Sequence, residues 1–180
     1  GGLFAIHSAT GVVTVNGAID YESKQSQTIT VRATSSDGSA TTQDITIAVT
    51  DVDDNTLSLA DSNSATNTIA ENATAGDGVG VTALGTDADH GTSIAYDFTS
   101  NPSDLFAIHA TTGVITLNGA LDYETAQSHT VTVRATSTDS NGDTSTTSKD
   151  ITIAVTDVDE FNPTLSDGDA TTNTIAENAT

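Results

Sequence analysis

Two runs, Ile45-Thr46-Ile47-Ala48-Val49 and Ile151-Thr152-Ile153-Ala154-Val155, place an apolar side chain at every second position. From His129 to Thr136 the same alternation sets Val131 and Val133 against Thr130, Thr132 and Arg134. A period of two sends successive side chains to opposite faces of a strand, so each run predicts a β-strand with one face buried. Shorter runs predict strands at Thr68 to Ala70, at Val79 to Thr86 after the turn Gly76-Asp77-Gly78, and at Ile94 to Phe98. Two more fall at Leu105 to His109 and, after Thr112-Gly113, at Val114 to Leu117. Thr fills many outward positions, where β-branching favours the strand and the hydroxyl meets water. No segment carries a helical period. Short strands at about ten-residue spacing predict an all-β chain, a seven-stranded Greek-key β-sandwich.

The pattern also repeats. Leu3-Phe4-Ala5-Ile6-His7 returns as Leu105-Phe106-Ala107-Ile108-His109, and Gly11-Val12-Val13-Thr14 as Gly113-Val114-Ile115-Thr116. Ile19-Asp20-Tyr21-Glu22 returns as Leu121-Asp122-Tyr123-Glu124, and Val31-Arg32-Ala33-Thr34 as Val133-Arg134-Ala135-Thr136. The offset of 102 becomes 106 by Asp44 and Asp150, because the second copy carries four extra residues between Ala135 and Asp150. That Ser/Thr/Asp/Gly stretch reads as a surface loop. Thr68-Ile69-Ala70-Glu71-Asn72-Ala73-Thr74 returns as Thr174-Ile175-Ala176-Glu177-Asn178-Ala179-Thr180. The chain therefore divides into residues 1–55, the back part of a repeat, residues 56–160, a complete repeat, and residues 161–180, the opening strand region of the next. Domain-scale repetition predicts beads on a string. Either the sequence is a window of a continuous fibre, the reading preferred here, or another chain supplies the missing strands by donor-strand pairing.

Composition narrows the partners. Against 25 Asp and Glu stand four Lys and Arg, a formal net charge of −21, which excludes nucleic acid and anionic membrane as natural partners. Hydrophobic residues make up 35% and aromatic residues 4%, so the core is thin and built from Val, Ile, Leu and Ala. There is no Cys to staple small domains, and no apolar run approaches the ~18 residues of a membrane span. Small domains without disulfides commonly rely on metal.

The acidic residues gather at marked places. Asp51-Val52-Asp53-Asp54-Asn55 and Asp157-Val158-Asp159-Glu160-Phe161 each follow directly on an alternating run. Glu71 closes the first strand of the complete repeat, Asp87 and Asp89 follow its second, and Asp122 and Glu124 lie between its fifth and sixth. In a sandwich these fall at two poles, Asp87 and Asp89 toward residues 51–55 and Glu71, Asp122 and Glu124 toward residues 157–160. Carboxylates ~4 Å apart repel by roughly 1 kcal/mol per pair even in water. A hard divalent cation would neutralise them, and Ca²⁺ takes about 6–8 oxygen ligands. An EF-hand does not fit, since neither Asp51 nor Asp87 opens a loop with Gly and Glu at the required positions. His7, His90, His109 and His129 have no second His or Cys placed to complete a zinc site. Tyr21 and Tyr123 are placed to cover the edges of the junctions. No Ser sits in a nucleophile elbow and paired carboxylates occur only at the junctions, so an enzyme is not expected.

These residues resemble cadherin repeats, and more closely the cadherin-like tandem repeats of large bacterial surface adhesins of the biofilm type. Glu71-Asn72 with Gly78-Val79, Asp87-Ala88-Asp89, Phe106-Ala107-Ile108 with Thr112-Gly113-Val114-Ile115, Leu121-Asp122-Tyr123-Glu124 and Asp51 to Asn55 are similar to that family's ordered motifs. The resemblance implies tandem, Ig-like, Greek-key sandwiches joined by linkers that bind several Ca²⁺ ions each. Its ligands at the first junction would be Asp20, Glu22, Asp51, Asp53, Asp54, Asp87 and Asp89, with backbone oxygens such as that of Asn55. At the second they would be Glu71, Asp122, Glu124, Asp157, Asp159 and Glu160. The chain departs from the family at Ala70, at Thr92 and at Ser35 and Ser137. Ser35 and Ser137 stand where the family has an Asp after Val-x-Ala, and Asp37 and Asp139 follow two residues on. These departures bear most on the third ion of a junction. The resemblance implies an extracellular, cell-surface location and a mechanical function, extender repeats of an adhesin or fibre stiffened by Ca²⁺, with neighbouring repeats as partners. The rival reading is a recognition module for surface carbohydrate or another cell-surface protein, which would need an aromatic or polar platform that three Tyr and four Phe scarcely provide.

Overall fold

A computed structural model describes residues 2–161, 163–168, 172, 174 and 177. The opening strand expected at Thr174 to Ala176 lies largely outside the described residues. The described chain is nearly all β. It forms β1 (Phe4–Ile6), β2 (Val13–Val15), β3 (Ser26–Thr34), β4 (Ala40–Ala48), β5 (Ser58–Asp61) and β6 (Thr68–Ala70). Then follow β7 (Gly78–Thr86), β8 (Ser93–Ser100), a one-turn 3₁₀ helix at Pro102–Asp104, β9 (Phe106–Ile108), β10 (Val114–Leu117), β11 (Ser128–Thr138) and β12 (Thr144–Thr156).

From β5 onward the strands build two facing four-stranded sheets, ordered β5-β7-β10-β9 and β6-β12-β11-β8. The seven-strand plan appears as eight hydrogen-bonded segments because its first strand is divided. β5 pairs antiparallel with β7 in one sheet, and β6 pairs parallel with β12 in the other. Alternation fixes which faces meet. Val79, Val81 and Ala83 of β7, Ile115 and Leu117 of β10, Val131, Val133 and Ala135 of β11, and Ile151, Ile153 and Val155 of β12 are buried between the sheets. Burying each branched side chain contributes about 1.5–3 kcal/mol before conformational entropy is charged against it. Tyr96 is also buried, and its hydroxyl accepts a hydrogen bond from Gly85 N at 2.8 Å, which satisfies the polar end. At Gly113 (φ +68°) a Cβ would lie 2.1 Å from the Ala83 carbonyl oxygen, so only glycine fits the turn that leads into β10.

One expectation is corrected. The stretch between Ala135 and Asp150 is not a loop: β11 runs to Thr138, β12 begins at Thr144, and the two pair without a break from Ser128↔Ala154 to Thr138↔Thr144. Only residues 139–143 turn. Thr and Ser supply this ribbon with strand propensity and backbone ladder bonds but no apolar alternation, which is why the sequence pattern misses it.

Before β5 the described strands form two separate pairs, β1-β2 and β3-β4. Their registers, Phe4↔Val15 to Ile6↔Val13 and Ser26↔Ala48 to Thr34↔Ala40, repeat those of β9-β10 and β11-β12.

Candidate metal centre

The linker after β4 meets the loop after β7. Asp89 is 5% exposed, and its Oδ1 accepts hydrogen bonds from Asn55 Nδ2 (2.9 Å), Asn55 N (3.3 Å) and Asp54 N (3.4 Å). The Asn55 amide leads the interactions that hold the Asp89 carboxyl below its ordinary pKa. One carboxylate oxygen from each of Glu22, Asp54 and Asp89 lies within 4.8 Å of the others. A Ca²⁺ ion with oxygens at ~2.4 Å accommodates that spacing. Asp87 accepts from Asp89 N at 3.3 Å and from Ser145 Oγ at 3.3 Å, and Asp51 Oδ2 accepts from Ser140 Oγ at 3.3 Å. Asp20 instead caps its own turn, accepting from Ser23 N (3.1 Å) and Ser23 Oγ (2.7 Å), and Ser23 lowers its pKa. Across the same joint Tyr21 stands edge-on to His90 with ring centroids 5.5 Å apart, and Gln25 Nε2 meets His90 Nε2 at 3.3 Å.

Two carboxyls here are pushed upward. Asp53 is raised first by burial and then by the Asp89, Asp87 and Asp139 carboxylates around it. At Glu22 a hydrogen bond from its own backbone pulls down, but burial and the neighbouring Asp20, Asp51 and Asp54 outweigh it. Upward shifts from like charges mark a place short of positive charge. No protein cation fills it: among the described residues one ion pair forms, Arg134 with Asp97, on the outer face of β11 and β8.

Whether the residues suit a hard cation can be read from the oxygens left over. Among the described residues Asp51 Oδ1, Asp89 Oδ2, Ser137 Oγ and Asp139 Oδ2 are buried and have no hydrogen-bond partner. Asp51 and Asp89 lie in this joint, while Ser137 near the end of β11 and Asp139 at the start of the following turn belong to the β11-β12 hairpin that docks beside it. Burying such an atom without a partner is costly. Oxygen donors that find no N–H are the donor set a hard divalent ion takes, so the residues fit Ca²⁺.

The second joint is built from the other pole. Glu71, 8% exposed, directly follows β6 and accepts from Tyr123 N and Val158 N, each at 2.6 Å. Those two bonds, Tyr123 first, hold its carboxyl below the ordinary value. Glu71, Asp122 and Glu124 each offer an oxygen within 4.8 Å of the others. Asp122 caps its turn through Thr125 N (3.1 Å) and Thr125 Oγ1 (2.7 Å). Glu160 is raised, by burial first and then by Glu71 and Glu124 beyond the pull of its own backbone. Asp159 accepts from Phe161 N at 3.2 Å, and Asp157 is exposed; neither belongs to an oxygen cluster among the described residues. Sequence reasoning left Ser137 and Asp139 out of the candidate set, and the only signal for them was an acidic residue displaced by two positions from where the motif expects it.

The Cadherin domain family matches residues 66–155. Human Protocadherin Fat 4 is 44% identical over 139 residues, covering 74% of this chain and 3% of the human protein. Human Cadherin-23 is 34% identical over 161 residues, 89% of this chain and 5% of that protein. The chain thus spans a few hundredths of the length of these curated relatives, which are animal cadherins, where the sequence had suggested bacterial adhesins. Among solved structures, repeats EC22-24 of mouse Cadherin-23 superpose with a TM-score of 0.74 at 26% identity, covering 88% of this chain and 51% of that one. The Protocadherin gammaB7 EC3-6 cis-dimer gives 0.77 at 24%, covering 88% and 38%, and shows the shared fold. No helix among the described residues is long and apolar enough to cross a membrane.

Proposed function

The chain belongs to the cadherin family, whose Ca²⁺-binding domains form extracellular tandem repeats of cell-surface adhesion proteins, and on that premise we propose that it is a stretch of spacer repeats made rigid by Ca²⁺ at its two joints. The observation that carries this reading is the set of buried carboxylate oxygens at the first joint that no donor satisfies. In the proposal Glu22, Asp54 and Asp89 form the centre of the first site, with Asp20, Asp51, Asp53, Asp87 and the Asn55 carbonyl around it. Glu71, Asp122 and Glu124 form the centre of the second, with Asp157, Asp159 and Glu160 closing in from the linker. Bound Ca²⁺ supplies the positive charge that the chain lacks and a fixed set of ligand directions, which converts a flexible linker into a set angle.

A spacer role, of the kind the extender repeats of large surface adhesins fill, follows from how little the surface offers to a specific partner. Aromatic residues are 4% of the chain, and the faces of β11 and β12 turned to water carry mainly Thr and Ser. Small-angle X-ray scattering of the whole chain, with Ca²⁺ and with a chelator, tests the proposal. The expected result is a longer, better-defined maximum dimension with Ca²⁺ and a broadened distance distribution without it. An identical distribution in both would refute it.

A further inference from the structure

We infer that Asp139 is a cation ligand of the first joint, taking over the task of the acidic residue that the repeat lacks at Ser137. The inference rests on the reading of that joint as a Ca²⁺ site. Asp139 sits just past β11, is 8% exposed, and divides its two oxygens between two tasks. Oδ1 accepts from Asn141 N at 2.9 Å and Asp143 N at 2.8 Å and so ties the hairpin turn. Oδ2 is buried and has no partner among the described residues. The side chain is therefore more than nine-tenths buried with one unpaired oxygen.

The hairpin tip is pressed against the joint on two sides. Ser140, the next residue, donates from its backbone to the His90 carbonyl at 3.2 Å and from Oγ to Asp51 Oδ2 at 3.3 Å. A Cβ on Gly91 would lie 3.0 Å from Ser140 Cβ, so the loop that carries Asp87 and Asp89 and the hairpin approach to contact. Ser137, at 2% exposure, adds a second unpartnered oxygen from the strand below. Ser137 is too short and too weakly basic to replace a carboxylate. Extending the ribbon past it carries an acid to the same pole from two residues further on.

The first repeat supplies an internal control. Asp37, like Asp139, lies two residues past the Ser of its repeat, but its shorter hairpin places it inside the turn that Ser35 opens, where it is exposed and its Oδ1 is satisfied by Ser39 N (2.9 Å) and Ser39 Oγ (2.7 Å). The test uses the full 180-residue chain and Ca²⁺ alone, counting bound ions by native mass spectrometry and following affinity by calorimetry. Asp139→Asn keeps the Oδ1 acceptor and removes the charge. It should bind fewer ions, or shift the midpoint for the weakest ion by roughly tenfold or more. Asp37→Asn should bind as the unmutated chain does. A measurement without mutation guards against a folding defect: on adding Ca²⁺ the carboxyl carbon resonance of Asp139 should move and that of Asp37 should stay. An unmoved Asp139 resonance, or full ion binding by Asp139→Asn, overturns the assignment. Asp89→Asn separates the two levels. If it loses ions while Asp139→Asn does not, only the role of Asp139 falls; if it also binds normally, the reading of the joint falls with it.

Discussion

Ile153 and Ile47 are the same residue in the same motif, in the same register of the same kind of hairpin. Ile153 is fully buried, whereas Ile47 is only half-buried. Ala135 is fully buried and its counterpart Ala33 is exposed; Val133 is fully buried and Val31 is not. The ladders themselves do not differ: Gln27↔Ile47 pairs as His129↔Ile153 does. What differs is the facing layer. Around β11 and β12 a second four-stranded sheet closes over the apolar face, whereas among the described residues β3 and β4 pair only with each other. The pairing register is thus set locally and is the same in both hairpins, while burial of the apolar face is a collective property of two sheets.

Substitutions at matched positions should separate the two contributions. Ile153→Ala should cost the complete repeat about 2–5 kcal/mol, through lost burial and the cavity left behind. Ile47→Ala should cost less, about 1–2 kcal/mol, since the side chain is only partly covered and has no tight cavity to leave behind. Chemical denaturation followed by residue-resolved hydrogen exchange reads both; equal costs would mean that the first part of the chain is covered as well as the second. A smaller contrast is expected at the matched glycines. Gly11 and Gly113 both have positive φ, +72° and +68°, but a Cβ on Gly11 meets nothing within 4 Å. Gly11→Ala should therefore cost only the left-handed backbone penalty, about 1–2 kcal/mol. Gly113→Ala adds a collision with the Ala83 carbonyl, which raises the total to roughly 2–4 kcal/mol.

The division between local and collective also explains what could be read from the chain. Strands with apolar alternation were legible because one buried face writes a period of two into the residues. β5 was not, since Leu57-Ser58-Leu59-Ala60-Asp61 is too short to show a period and reads as linker. The first half of β12, Thr144 to Asp150, was not either, because its stability comes from a polar ladder that leaves no hydrophobic trace. At the joints the acidic clusters and their poles were visible as repeated motifs in the linkers and turns. The burial of Ser137 and Asp139 was not, for it depends on a hairpin folding back onto a loop some fifty residues away in sequence, through Ser140 and His90. Residue type announces the chemistry of such a site, but only the tertiary fold decides which oxygen is left without a partner.

The finest contrast concerns Asp20 and Asp122, where the two copies should behave alike. Each caps a turn with both oxygens, Asp20 through Ser23 and Asp122 through Thr125, at matching distances of 3.1 and 2.7 Å. In both, the side-chain hydroxyl is the largest cause of a lowered pKa and the backbone N–H of the same residue the next. A carboxyl whose folded pKa lies below its unfolded value favours the folded state above the unfolded pKa. That contribution is lost as pH falls through the folded value. Since the turn needs no facing sheet, a carbon-detected NMR titration of the Ca²⁺-free chain should place both carboxyls below the ordinary aspartate range. Ser23→Ala and Thr125→Ala should move their own aspartate upward and leave the other where it was. A lowered Asp122 beside an ordinary Asp20 would show that even this turn draws on the second sheet, and the boundary between local and collective structure would then have to be redrawn inside the turn itself.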